Sequence, residues 1–460
     1  MNNNNTNYST FMQKLLYVMD VVLLGGALLI ADGLPETQLL AISNWWVIVV
    51  FIICMQTCFL GLGLYKSKLR EKLPGIFRRL GLAFAIGFVL MTMARSLFSI
   101  TALSGENLFS ACLLAALLTF ILRYLLVKFN VLGFTKRNVL ILGSGQRALI
   151  VQKRMRREVD RESFKLIGFV YMEGDINSDI DTQNIIHLNG SLYDYVINNN
   201  VDEIVVATDE RRALLPVREL FACKLHGVVV SEILDFIERE TGQIAVNLIY
   251  PSWVIYSAGF QSSNDLRNGF DRLFNVALSV ILFLATWPFM LLTYFAIKIE
   301  DGWSAPCFYW QKRVGLHGNV FAIVKFRSMR IDAEENGAQW ADSEDERVTK
   351  VGRFIRKYRI DELPQVYNVI AGDMGFVGPR PERPEFVDEL KQHIPYYNER
   401  HNVKSGLTGW AQLKYPYGAT VADAEEKLKY DLYYIKHRSF LLDLYILIQT
   451  AEIVLFGKGR

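Results

Sequence analysis

The sequence predicts a membrane protein of mixed class, an α-helical membrane part followed by α/β parts. Three observations predict it. Of the 47 Asp and Glu in the chain, only Asp20, Asp32, Glu36, Glu71 and Glu106 lie in the first 130 positions. Four apolar stretches, each about the 20 residues that a helix needs to cross a bilayer, follow one another in that segment. Beyond it, an apolar run meets Gly143-Ser144-Gly145 and opens a helical pattern. A chain of 460 residues has room for about three domains. The divisions expected are 1–130, 131–260 and 261–460.

Composition removes several classes. A hydrophobic share of 51% is too high for a disordered chain, and 21% charged residues is too many for membrane spans alone. The 50 Lys and Arg nearly balance the 47 acids, so no global basic excess points to nucleic acid. The five cysteines, at 54, 58, 112, 223 and 307, show no CxxC spacing. A secreted disulfide scaffold and a zinc module are therefore not expected.

The polar start, residues 1–10, carries no core pattern and reads as a frayed tail, with no cleavable signal peptide after it. The apolar stretches lie near 13–33, 44–65, 80–100 and 108–128, and Asp20 and Arg95 interrupt two of them. Loop 66–79 holds six basic residues and one acid, whereas 34–43 and 101–107 hold no Lys or Arg. The positive-inside rule then places both ends of this four-helix unit in the cytoplasm.

In the middle domain, RNVLILGSGQRA (137–148) reads as a Rossmann-like strand, turn and helix, whose helix N-terminus can hold phosphate. DEIVVATDE (202–210) and GVVVSEIL (227–234) supply further strands of a parallel sheet. Ala148 stands at the third glycine position, and KLIGFVYMEG offers only Glu173 as a ribose acid. A structural or regulatory domain without catalysis is the expectation.

Residues 273–297 form another apolar run, part of an expected helix 273–299, with basic residues on both flanks, Arg267 and Arg272 before it and Lys298, Lys312 and Arg313 after it. A full span would export the Lys- and Arg-rich remainder, against the positive-inside rule. Pro288 lacks an N–H and clashes with the preceding turn. The expectation is a re-entrant helix–break–helix, each arm too short to cross alone.

The last third is dense in chemistry. In Asp361-Glu362-Leu363-Pro364-Gln365, proline suits a first helical turn and Gly372 suits the end of the helix. Asp361 is then expected near an N-cap, its carboxylate held ionised and able to attack phosphorus. Glu362 can hold Mg²⁺, which takes one or two carboxylates and completes its shell with phosphate oxygens. Around them lie Lys325, Arg327, Arg330, Arg353, Arg356, Lys357, Arg359, Arg380 and Arg383, the density that phosphates require. Lys357 reads as a solvated surface charge. Arg380, inside Gly378-Pro379-Arg380-Pro381, is presented rigidly.

KFRSM (325–329), RKYRIDELPQVYNVIAGDM (356–374), VGPRP (377–381) and SGLTGWAQ (405–412) resemble the bacterial sugar transferase family, the monotopic polyprenyl-phosphate phosphoglycosyl transferases. The whole chain resembles the large members that prime exopolysaccharide or O-antigen synthesis. The resemblance implies transfer of a sugar 1-phosphate from a UDP-sugar to undecaprenyl phosphate at the bacterial inner membrane, with release of UMP and a catalytic domain in the cytoplasm. It makes Asp361 the nucleophile that becomes a phosphosugar–enzyme intermediate, and Glu362 the Mg²⁺ ligand. Arg356 and Arg380 match its phosphate-contacting arginines, and Lys325 and Arg327 its KFR motif. It also suggests a homodimer. The family's re-entrant helix breaks at Ser-Pro; here the pair is Trp287-Pro288.

The C-terminal stretch 439–457 is apolar with polar interruptions and reads as a helix on the membrane surface or packed in the core. Two rival functions follow from the residues. One is a membrane regulator that senses a nucleotide in the middle domain. The other is an oxidoreductase or nucleotide-sugar modifying enzyme on the Gly-Ser-Gly loop, which needs Tyr/Lys or Ser partners that do not stand out.

Overall fold

The computed structural model describes residues 4–32, 45–65, 73–97, 103–128, 136–155, 161, 163–176, 179–209, 215–249, 253, 257, 259–260, 265–333, 345–415, 418 and 420–455. The chain divides into two compact units, Met1–Phe236 and Ile237–Arg460. The polar start expected as a frayed tail is helical from Asn4 on, because the first helix extends back through it, and residues 1–3 lie outside the described residues, as do loop 34–43 and positions 66–72 of loop 66–79.

The first unit opens with four helices, Asn4–Ala31, Trp45–Gly61, Leu73–Leu97 and Gly105–Lys128. Three contain stretches long and apolar enough to cross a membrane, Lys14–Ala31, Ile76–Ser96 and Gly105–Leu126; Trp45–Leu60 is apolar but shorter. Asp20, which interrupts the first apolar run, is fully buried. Its carboxylate takes Arg123 Nη2 at 2.5 Å and the Tyr65 hydroxyl at 2.7 Å, and the same hydroxyl lies 2.6 Å from Gln56 Oε1. A buried charge thus meets an opposite charge and a donor, the condition for tolerating it in an apolar bundle.

Five parallel strands follow: β1 (Arg137–Leu142), β2 (Phe164–Val170), β3 (Ile185–Ile186), β4 (Glu203–Val206) and β5 (Val229–Glu232). Their spatial order is β3-β2-β1-β4-β5, with β1 paired to both β2 and β4. The apolar runs of β1 and β4 are buried on both faces, as the centre of a parallel sheet requires.

The second unit begins with one helix, Asp265–Asp301, 37 residues long. The expected break at Pro288 does not end it: helical backbone continues through the proline. Pro288 can donate no hydrogen bond to the preceding turn, and beside it the Thr286 hydroxyl donates to Leu282 O at 2.7 Å. An antiparallel hairpin, β6 (Phe308–Val314) and β7 (Val320–Phe326), comes next. A two-stranded parallel pair, β8 (Gly375–Val377) and β9 (Gly406–Thr408), lies further along. The chain closes with helices Val421–His437 and Phe440–Leu455. The last packs Ile446, fully buried, against Trp410, Tyr430 and Tyr434, and its Asp443 accepts a 2.7 Å bond from the Tyr434 hydroxyl.

Both halves of the long helix seat on this same unit. Near its start, Arg272 caps the carbonyls of Val369 and Ile370, and Asn275 Oδ1 accepts from Phe376 N. Near its end, Glu300 accepts from Lys350 N and Val351 N, and Lys298 donates to Trp303 O and Ala305 O. Between these ends Leu273, Ile281, Leu284, Phe289 and Leu292 stand exposed.

Candidate active site

Three segments, distant in sequence, build the site. The first is β7. Ile323, Val324 and Phe326 are buried, and Lys325 stands between them. The second is the Asp-Glu-Leu-Pro-Gln turn. Arg359 takes the left-handed conformation (φ 57°), a 3₁₀ turn runs Ile360–Gln365, and helix Val366–Ala371 follows. Gly372 (φ 98°) ends that helix, as its freedom from a Cβ allows. Asn368 stitches the helix to β7: its side chain accepts from Val324 N at 3.1 Å and donates to Ala322 O at 2.7 Å. The third is the Pro-Arg-Pro loop, which β8 delivers.

Asp361 lies near an N-cap as expected, in the first turn after it, though that turn is 3₁₀ and not yet α-helix. The cap residue is Arg359, and it makes no side-chain cap bond. Glu362 N bonds Arg359 O at 3.2 Å, three residues back, so the winding is tight before the α-helix starts and Asp361 lies inside the turn.

Glu362 is the hub. Its Oε1 takes Arg380 Nη2 at 2.7 Å, Lys325 Nζ at 3.4 Å and Arg359 Nη1 at 3.5 Å. Burial alone raises a carboxyl pKa, but Arg380, Lys325 and Arg359 outweigh it and hold Glu362 well below the usual carboxylate range. Asp361, only 8% exposed, goes the other way. Burial and the charge of Glu362 push it up to about 6, against the pull of Lys325, Arg359 and Arg356. It is thus still mostly ionised at neutral pH, but it is not depressed as an N-cap carboxylate is. Its Oδ1 is buried without a hydrogen-bond partner among the described residues. Burial also lowers the Lys325 ammonium to about 8.

The other candidates separate. Arg356 lies in the last turn of helix Lys350–Lys357 and its charge reaches Asp361. The charge of Arg327 reaches Asp301 and Cys307. Arg330, Arg353 and Lys357 are exposed. The sequence reading missed Asn368, and it missed Arg313, whose Nη1 donates to Pro381 O at 3.0 Å. The run of β-pattern followed by a short helix carries no signal for either.

No group of three His, Cys, Asp or Glu side chains able to cage a metal occurs among the described residues. Two adjacent carboxylates, one with an unpartnered buried oxygen, are nonetheless a donor set that suits Mg²⁺ when phosphates complete its shell.

In the middle domain, the helix N-terminus expected to hold phosphate already holds an anion. Asp209 accepts from Gln146 N, Arg147 N and Ile176 N at 2.9, 3.0 and 3.1 Å. A Cβ on Gly145 would stand 2.0 Å from Asp209 Oδ2. The expected phosphate position is therefore filled by the protein's own carboxylate.

Buried carboxylates ringed by cations, in a unit bearing an exposed apolar helix, are the equipment of a membrane-associated protein that handles phosphate. Residues 266–457 match the model of the bacterial sugar transferases. The chain is 40% identical over 192 residues to the uncharacterized sugar transferase EpsL of Bacillus subtilis (strain 168), 41% of this chain and 88% of EpsL. It therefore belongs to the bacterial sugar transferase family. It is also 39% identical over 242 residues to a UDP-N-acetylgalactosamine-undecaprenyl-phosphate N-acetylgalactosaminephosphotransferase of Aeromonas hydrophila, 53% of this chain and 56% of that protein. To a UDP-glucose:undecaprenyl-phosphate glucose-1-phosphate transferase of Xanthomonas campestris pv. campestris it is 32% identical over 280 residues, 58% of this chain and 56% of the relative. The chain thus spans 56% of the length of each of these two relatives.

Proposed function

We propose that this protein transfers a sugar 1-phosphate from a UDP-sugar to undecaprenyl phosphate, the first step of exopolysaccharide or O-antigen synthesis. The activities for which the relatives are named support this reading. The observation that carries it is the unequal carboxyl pair: Asp361 buried, near pKa 6 and with an unpartnered oxygen, beside Glu362 locked by three cations.

The chemistry follows. An Asp361 carboxylate oxygen attacks the sugar-bearing phosphorus of the UDP-sugar. The bond from that phosphorus to the bridging oxygen breaks, and UMP leaves with the electron pair. An acyl phosphate joins Asp361 to the phosphosugar. An oxygen of undecaprenyl phosphate then attacks the same phosphorus, which frees Asp361 and leaves the diphosphate-linked lipid. Arg380, Lys325 and Arg356 offset charge on the phosphates. Glu362 would hold Mg²⁺, which when bound would neutralise phosphate charge.

Two substrates from different phases need a site at the membrane surface. The helix Asp265–Asp301 supports this. At 1.5 Å per residue it is ~55 Å long, well over the ~30 Å of a hydrocarbon core. Both halves seat on one unit, which a transmembrane path forbids if that unit stays on one side. We read it as re-entrant, bending near Pro288, with residues 261–460 as a cytoplasmic catalytic domain after a four-helix unit (1–130) and a Rossmann-like domain (131–260). The carboxylate of Asp209 at the Gly-Ser-Gly loop speaks against the nucleotide-sensing alternative.

The test is UMP release from a panel of UDP-sugars with undecaprenyl phosphate and Mg²⁺ in detergent. Asp361→Asn is expected to abolish release, and a donor labelled in the sugar phosphate to leave a base-labile adduct on Asp361 alone. Full turnover by Asp361→Asn overturns the reading.

A further inference from the structure

The structure assigns a positioning role to Arg400 and Asp431, and the assignment rests on the reaction proposed above. The Pro-Arg-Pro loop has an unusual holding problem. Pro379 and Pro381 have no N–H, so this stretch can be tied down chiefly through its carbonyls. Each of three successive carbonyls is taken by a donor from a different segment. Gly406 N donates to Pro379 O at 2.9 Å, Arg400 Nη2 to Arg380 O at 2.8 Å, and Arg313 Nη1 to Pro381 O at 3.0 Å.

The middle tether belongs to the residue whose side chain matters. Arg380 Nη2 reaches Glu362 Oε1 at 2.7 Å. Its own backbone is held by the guanidinium of Arg400, a residue that is 6% exposed. Arg400 also donates to the Tyr397 hydroxyl at 2.7 Å and pairs with Asp431 Oδ2 at 2.9 Å. Asp431, on helix Val421–His437, is 3% exposed. A charge pair this deep is a poor way to gain stability, because desolvation offsets its attraction. Its use lies in geometry: a planar fork bonded on several sides cannot swing, so the Arg380 carbonyl it grips cannot either. Among the described residues, neither Arg400 nor Asp431 is bonded to Asp361 or Glu362, and the hydrogen bond that links Arg400 to the site is the one to the Arg380 carbonyl.

Arg400→Lys keeps a cation for Asp431 but loses the fork. In the UMP-release assay it should lower kcat/KM on the order of 100-fold, the scale of a misplaced contact group. A general folding defect would do that too, so the decisive comparison is a double-mutant cycle. In an Arg380→Ala background, Arg400→Lys should cost less than about twofold, because the group it positions is gone. Equal losses in both backgrounds, or no loss in the parent, overturn the assignment. If Arg400→Lys does not fold, Asp431→Asn enters the same cycle, and coupling to Arg380→Ala supports the role while additivity overturns it. If Arg380→Ala turnover falls below detection, the cycle is read on UMP binding by calorimetry. Asp361→Asn keeps the two claims apart. If it is inactive while the cycle is additive, only the positioning role fails; if it is active, the reaction itself fails.

Discussion

Asp361 and Glu362 are neighbours in sequence with opposite titration, and the cause is where the cations stand. All three close cations fall on Glu362 Oε1, so at Asp361 burial and the negative neighbour outweigh the more distant pull of Lys325, Arg359 and Arg356. A nucleophile with a pKa of about 6 must lose its proton to work. In the half-reaction with UDP-sugar alone, kcat/KM should fall about tenfold per pH unit below that value. Glu362→Gln removes the negative neighbour that raises Asp361, so the acid limb of whatever rate remains should move to lower pH. A limb that stays in place in that variant assigns the titration to another group. Stability carries its own sign. The folded carboxyl binds its proton more tightly than the unfolded one, so ionising Asp361 costs stability at neutral pH. That cost is relieved as pH falls from about 6 towards 4. Most of these residues were legible in the sequence, since Asp361, Glu362, Lys325, Arg356 and Arg380 sit in dense, punctuated motifs. The hub was not. Lys325 and Arg380 lie 37 and 18 positions from Glu362, and no spacing rule brings them to one oxygen. Nor does sequence show that the charge of Arg327, two places from Lys325, reaches Asp301.

At the scale of elements, the Gly-Pro-Arg-Pro and Ser-Gly-Leu-Thr-Gly motifs are two sides of one contact. A Cβ on Gly378 would meet Lys404 O at 2.3 Å, and one on Gly406 would meet Gly378 N at 2.1 Å. Backbone cannot yield as a flexible side chain does, so Gly378→Ala and Gly406→Ala should each cost about 1–3 kcal/mol or more in denaturant unfolding. A loss below about 0.5 kcal/mol in both would show that these loops shift freely. The glycines were visible in the sequence, but their mutual contact was not, because an α-helix (Pro384–His393) and a 3₁₀ helix (Tyr397–Asn402) separate them along the chain. Asp209 teaches the same lesson in reverse. The Gly-Ser-Gly turn, strand and helix are legible in the sequence and present in the fold, yet the bound anion comes from an acid 63 positions beyond Gln146. For the helix Asp265–Asp301 the sequence suggests two arms, because proline removes a donor. One missing hydrogen bond in 37 residues does not stop a helix held to its own unit at both ends.

For the molecule as a whole, everything proposed depends on which side of the membrane each end of that helix occupies. The helices of the N-terminal bundle were readable because apolar length is a one-dimensional signal. The path of residues 265–301 is not, since composition and length alone qualify it as a candidate span. Packing supplies the missing constraint. Arg272 and Asn275 bond residues 369–376 at one end, while Glu300 bonds residues 350–351 at the other. One folded unit holds both ends, and its buried site needs them together: Arg272 caps the helix that carries Asn368, which in turn pins the strand of Lys325. Single cysteines at Phe270 and Trp303, both exposed, should therefore react with a membrane-impermeant maleimide from the same side. In a cysteine-free background, both should label in inside-out vesicles and neither in intact spheroplasts. Labelling of the two positions from opposite sides would mean that the helix crosses. The bonds at one end or the other would then have to break in the membrane, and a site serving both a cytosolic nucleotide and a lipid phosphate could not be built this way.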